Sequence, residues 1–256
     1  MSVLDRFRLD GRVAVITGGG GGIGAAGALA LAEAGADVAL IARNRAKLDA
    51  AADAVRAVGR RAFVVEADVV DEGSVNAARD VVLAEYGHAD ILFNHAGITS
   101  PKTLAEMPVD EWRRVIDVNM TGAFLVTRAF VPGMRERKFG RIINMGSILS
   151  GRGMASRTVY CATKAGLANF AAALAFEVGG DGITVNTLGA TVIVTDFNRE
   201  LVKTQPDLYN GIIKRMPVGR LGELDDLIGP LVFLASPAAG LITGQTIYVD
   251  GGYTAG

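Results

Sequence analysis

A tyrosine and a lysine stand four residues apart in the run TVYCATKAGLANFAAALAFEV, where nearly every other residue is small or apolar. If the run is helical, Tyr160 and Lys164 lie one turn apart on the same face, and a phenol and an ammonium can be held together. A phenol starts from a pKa near ~10, and a neighbouring positive charge favours its ionised form, so such a pair can move protons. The same spacing also arises on the solvated edges of many helices. A second run, VITGGGGGIGAAGALALAEAG, supplies a backbone that can turn tightly and approach a ligand with no side chains between. A helix opening behind that turn offers unpaired N–H groups and a positive dipole end to a phosphate. Gly19, Gly21 and Gly24 satisfy the dinucleotide fingerprint, although a glycine run of this length matches many patterns. Gly24 is followed by Ala25, so the lysine and hydroxyl residue of a P-loop are missing.

The elements that must position these groups are legible as alternating patterns. Short β-branched runs, RVAVIT, ADVALIA, RAFVVEAD, ADILFNHAG, GRIINMGS, GITVNTLG and QTIYVDGG, alternate with longer helical stretches. The runs are continuously apolar, as in strands covered on both faces. This predicts an α/β fold of the doubly wound, Rossmann type, with a mainly parallel seven-stranded sheet between helices. DEGSVNAARDVVLAEYG and VDEWRRVIDVNMTGAFLVTRAFVPGM read as helices, the second long and amphipathic. No repeat, low-complexity block or linker divides the chain, and residues 1–256 read as one domain. In such sheets ligands bind outside the carboxyl ends of the strands, where strand order reverses.

Composition removes other classes. A formal net charge of −1 with interspersed signs leaves no footprint for nucleic acid or an anionic membrane. Cys161 is the single cysteine and there are two histidines, which excludes an internal disulfide and a multi-cysteine metal site. The first residues lack the apolar core of a signal peptide, and LIGPLVFLASPAAGLI is broken by Pro230 and Pro237. The reading is a cytoplasmic protein with no membrane, nucleic-acid or metal partner.

Six features in order, TG-x₃-GIG from Thr17 to Gly24, NHAG from Asn94 to Gly97, Asn119 in DVNMTGAF, Ser147 in INMGS, YCATK and the terminal GQTIYVDGG, resemble the short-chain dehydrogenase/reductase family over essentially the whole chain. The resemblance implies a ketone or secondary-alcohol oxidoreductase using a nicotinamide cofactor. Tyr160 would be the acid/base, Lys164 would favour the phenolate, and Ser147 would orient the substrate oxygen. Asn119 would hold a water that links Lys164 to solvent. Thr17, Gly18, Gly22, Ile23, Gly24, Asp68, Val69, Asn94, Ala96, Gly97, Ile193 and Thr195, with Tyr160 and Lys164, would form the dinucleotide site. Ala42 stands where an acid usually meets the adenosine ribose, followed by Arg43 and Asn44, so NADP(H) is expected over NAD(H). The apolar YCATK helix and the VDGG tail resemble the parts through which the family forms homotetramers. A serine hydrolase is disfavoured because NMGSILSG lacks the G-x-S-x-G spacing. A non-catalytic dinucleotide sensor would be expected to lack the tyrosine or the lysine.

Two departures from the family pattern bear on the pocket. His95 replaces a second asparagine, and Ala190 and Thr191 replace a Pro-Gly pair whose loss should alter that loop. Ile148, Leu149, Met154, Val192 and Phe197 suggest a partly apolar wall. The region after Thr195 resembles gluconate 5-dehydrogenase-like members acting on sugar acids and polyols. Arg152, Arg157, Arg199 or Lys203 could meet a substrate carboxylate. A 3-oxoacyl thioester or a bulky apolar ketone is the alternative.

Overall fold

The computed structural model describes residues 2–196 and 198–256. Seven parallel strands form one sheet: β1 (Val13–Thr17), β2 (Asp37–Ala42), β3 (Ala62–Glu66), β4 (Ile91–Asn94), β5 (Gly140–Met145), β6 (Ile183–Ala190) and β7 (Thr246–Val249). Their spatial order is β3-β2-β1-β4-β5-β6-β7. All seven apolar runs of the sequence became strands.

Both faces are covered, which is why the strands carry little alternation. Ala14 and Ile16 of β1 enter one core layer with α1 (Gly22–Glu33), α2 (Arg45–Ala57) and α9 (Leu224–Ala235), through Leu31, Leu48 and Leu231. Val13 and Val15 enter the other with α3 (Glu72–Tyr86), α5 (Gly122–Arg137) and α6 (Thr158–Val178), through Val82, Phe130 and Val178. Each large side chain fully withdrawn from water contributes about 1.5–3 kcal/mol, so two such layers hold the sheet rigid beneath any site at its ends.

The sequence pattern reads one continuous helix from residue 109 to 134. The chain instead forms α4 (Val109–Ile116), a π-helical turn over Asp117–Thr121, and then α5. The two short helices α7 (Arg199–Thr204) and α8 (Pro206–Ile213) follow β6. By length and composition the stretch Thr158–Asp181 could cross a membrane. Here it packs along β6 and buries Lys164 against the sheet.

Candidate active site

Strand order reverses at β1, whose neighbours are β2 and β4, and the crevice opens at their carboxyl ends. Thr17 is in register with Asn94, Asn94 with Asn144, and Asn144 with Thr187. This makes a buried polar row across four strands just below the crevice. Asn94 donates to Thr127 Oγ1 (2.9 Å) and Asn144 Oδ1 (3.0 Å), so its side chain ties strands and α5 together beneath the surface. Thr17 Oγ1 accepts from the N–H groups of His95 (3.1 Å) and Ala96 (3.2 Å), fixing the turn that carries Ala96 and Gly97 past the glycine loop.

The glycine loop leaves a cradle that side chains would fill. Gly18 has φ +68° and Gly22 φ +51°, both in the left-handed region. A Cβ on Gly24 would stand 2.4 Å from the Gly18 carbonyl oxygen and 2.8 Å from the His95 ring. Ile23 opens α1 and packs on the core, while Thr195 comes to 3.7 Å of where a Gly22 Cβ would be. Ile193 bridges to Gly222, and the Asn198 side chain receives Thr195 N–H (2.8 Å) and donates to the Ile193 carbonyl (2.8 Å). Backbone donors, an α-helix N-terminus and absent side chains fit a dinucleotide phosphate.

At the far end of the crevice, Arg43 is exposed after β2 and lies 3.9 Å from Asp68. Asn44 is engaged as the cap of α2, its side chain accepting Lys47 N–H at 3.0 Å. Val69 is buried against Gly122 and thereby sets the Asp68 turn on α5.

The chemical cluster sits where β5 meets α6. Ser147 follows β5, and its Oγ accepts Leu149 N–H at 3.1 Å. Tyr160 lies in the first turn of α6. Burial pushes its hydroxyl up to about 12, against the pull of Ser147 and of the Arg157 charge. Burial likewise brings Lys164 down to about 8. The Lys164 Nζ donates to the Met145 carbonyl (2.6 Å) and stands 5.5 Å from the Tyr160 ring centroid. The Met145 carbonyl holds the ammonium at the strand end, one helical turn from the phenol.

Asn119 sits at the centre of the π-helical turn. Its Oδ1 accepts Ile98 N–H (2.8 Å), and its Nδ2 donates to the Ile98 carbonyl (2.9 Å) and Thr163 Oγ1 (3.1 Å). Thr163 in turn donates to the Tyr160 carbonyl at 2.9 Å. Thr163 lies inside YCATK and links the Asn119 amide to the first turn of α6. A Cβ on Gly97 would meet both Asn119 Oδ1 (3.3 Å) and Lys164 Nζ (3.7 Å), so the amide and the ammonium flank one point.

His95 packs on Phe93, with ring centroids 5.6 Å apart, and its buried Nδ1 has no protein partner. Burial, helped by the Lys164 charge, lowers its pKa to about 4, so the ring is neutral near pH 7. The Ala190-Thr191 pair lies at the end of β6. Strand β6 runs through Ala190 opposite Val249, and Thr191 Oγ1 reaches the Met216 sulfur at 3.7 Å. Ile148, Leu149, Met216 and Tyr253 form an apolar cluster, with Met154, Tyr160, Cys161 and Ile212 packed on it. Val192 is half-buried, and Phe197 lies outside the described residues.

A family model described as Enoyl-(Acyl carrier protein) reductase matches residues 18–254. The chain belongs to the short-chain dehydrogenase/reductase family. It is 37% identical over 246 residues to the 3-oxoacyl-(acyl-carrier-protein) reductase of Escherichia coli, covering 96% of this chain and 98% of that one. A gluconate 5-dehydrogenase from Burkholderia cenocepacia, solved in complex with NADP and tartrate, superposes with a TM-score of 0.95 at 38% identity over 100% of both chains. A 3-oxoacyl (acyl-carrier-protein) reductase from Agrobacterium tumefaciens, with NADP bound, gives 0.93 at 31% identity over 99% of this chain and 98% of that one. The chain is therefore an oxidoreductase of carbonyl and CH–OH groups.

Proposed function

We propose that the protein interconverts a ketone and a secondary alcohol with NADP(H), and that the substrate is a keto-sugar acid or polyol. The observation that carries the reading is the convergence of Ser147, Tyr160, Lys164 and Asn119 at the switch-point crevice, beside the glycine cradle. The cofactor, when bound, supplies or accepts the hydride. In reduction Tyr160 gives its proton to the carbonyl oxygen, and Ser147 stabilises the charge developing there. Lys164 and Asn119, flanking one point, reload the phenol through a water between them. Thr17, Gly18, Gly22, Ile23, Gly24, Asp68, Val69, Ala96, Gly97, Ile193 and Thr195 hold the cofactor, and Asn94 holds the strands that present them.

Arg43 and the absence of an acid at Ala42 support NADP(H) over NAD(H), as do the NADP-bound relatives. Arg43→Ala is expected to weaken NADPH binding about 10–100-fold, the worth of a charge-assisted contact to phosphate, with NADH binding unmoved. Equal wild-type efficiency with NADH overturns the preference. A homotetramer in the cytoplasm completes the reading.

The apolar cluster of Ile148, Leu149, Met216 and Tyr253 favours a second reading, a 3-oxoacyl thioester or a bulky apolar ketone, in line with the Escherichia coli relative. An NADPH-oxidation screen over keto-sugar acids, 3-oxoacyl thioesters and bulky ketones separates the two. Turnover confined to thioesters or bulky ketones overturns the sugar-acid reading.

A further inference from the structure

Residues 250–256 are gripped from two sides. The buried Asp250 sets their turn, its carboxylate accepting Gly252 N–H (2.9 Å), Thr254 N–H (2.9 Å) and the Thr254 hydroxyl (2.7 Å). On one side runs the segment that leaves α8. Val218 N–H donates to the Gly251 carbonyl at 3.1 Å, and a Cβ on Gly251 or Gly252 would stand 2.8 Å from Met216 Cε or Pro217 Cγ respectively. On the other side lies the loop after Ser147. Arg152 of that loop donates to the Thr254 (2.6 Å) and Gly256 (3.3 Å) carbonyls, which commits it to this segment rather than to a substrate carboxylate.

Tyr253 fills the space between the two sides. It is 4% exposed and shares one apolar cluster with Met216 and with Ile148 and Leu149, which follow Ser147. Tyr160 packs on that same cluster from α6, and Ile212 packs on it from α8. Arg215 lies over the Tyr253 ring, 4.5 Å from its centroid, and Thr191 Oγ1 reaches the Met216 sulfur from the end of β6. A ring held on so many sides is a fixed wall, because a close-packed interior does not yield to a ligand without cost. A ketone whose oxygen meets Tyr160 and Ser147 brings its carbon substituents against this cluster.

We propose that Tyr253 determines substrate specificity: its ring ends the pocket on the side of the apolar cluster and limits the length of the chain that the ketone carries there. This rests on the reading that the ketone meets Tyr160 and Ser147, and it holds for a sugar acid and a thioester alike. In a hydrophobic pocket one methylene admitted or refused changes kcat/KM by about 10–200-fold, so removing the ring has a measurable effect.

The test follows NADPH oxidation with ethyl acetoacetate and its longer homologue ethyl butyrylacetate, for wild type, Tyr253→Phe and Tyr253→Ala, beside a fluorescence titration of NADPH binding. Tyr253→Ala should raise the long-to-short ratio of kcat/KM about 10–100-fold, mainly through KM of the longer ester, with the NADPH dissociation constant moved less than about threefold. Tyr253→Phe keeps the ring and should keep the wild-type ratio. Tyr253→Leu retains more of the packing and should move the ratio in the same direction if the alanine variant does not fold. An unchanged ratio, no turnover of the longer ester by any variant, or a loss shared equally by the two esters overturns the wall. Any of these results with Tyr160→Phe inactive overturns Tyr253 alone. Reduction of the shorter ester that survives in Tyr160→Phe puts the ketone elsewhere and overturns the site reading, and this proposal with it.

Discussion

In the proposed reaction Tyr160 works from its protonated form, because burial holds its hydroxyl near 12 in the free enzyme. Tyr160→Phe keeps the ring and deletes the proton, so turnover should fall at least 10²-fold while the dissociation constant for NADPH moves less than about threefold. A phenylalanine variant that keeps most of its turnover removes the assignment. His95 makes a different kind of prediction. Its folded pKa of about 4 lies below the ordinary 6.5, so between those values the unfolded chain takes up a proton that the folded one refuses. Stability is therefore lost as pH falls from 6.5, by roughly 2 kcal/mol at pH 5. Thermal melts of the cofactor-free protein at pH 7.5 and pH 5 should show His95→Asn losing about 4–8 °C less than wild type. Equal losses would discard the neutral histidine. Sequence identified which residues meet here but not which way they face. Lys164 turns to the Met145 carbonyl and Asn94 to Thr127, because partners from distant strands and helices decide the rotamer, and local spacing carries no record of them.

At the scale of elements, the glycine loop divides into positions that are crowded and positions that are open. Gly24→Ala would drive a methyl into the Gly18 carbonyl and the His95 ring, whereas at Gly21 nothing lies within 4 Å and φ is 176°, extended backbone that any residue adopts. Gly24→Ala is expected to raise the NADPH dissociation constant more than tenfold and lower the melting temperature, with overpacking of about 1–3 kcal/mol. Gly21→Ala should change either by little. Titration of both variants checks the pair, and similar behaviour would contradict the cradle. The strands were readable because a parallel strand buried on two faces has to be apolar throughout, as Val13 to Ile16 are. The π-helical turn was not, since amphipathic spacing runs smoothly through DVNMTGAF. The widened turn coincides with the Asn119 amide meeting both the N–H and the carbonyl of Ile98, partners distant in sequence.

For the molecule as a whole, the outer side of α6 asks for a partner: Phe176 is 94% exposed on a helix that is apolar nearly all round. A second copy of the chain is the covering proposed here, within a tetramer. Sedimentation at micromolar concentration should give a tetramer, and Phe176→Glu should shift it toward smaller species. A wild-type monomer under those conditions refutes it. The strand order has a further consequence, in time. β1 leaves the ribosome early but ends between β2 and β4, and the first residue of β4, Ile91, follows the last of β1, Thr17, by 74 positions. At about 5–20 residues per second, that is roughly 4–15 s during which one fully apolar edge has no neighbour. The nascent half-sheet of β1, β2 and β3 is thus the species most exposed to mispairing, and a chaperone that covers the open side of β1 would raise the yield of folded protein without touching the finished enzyme.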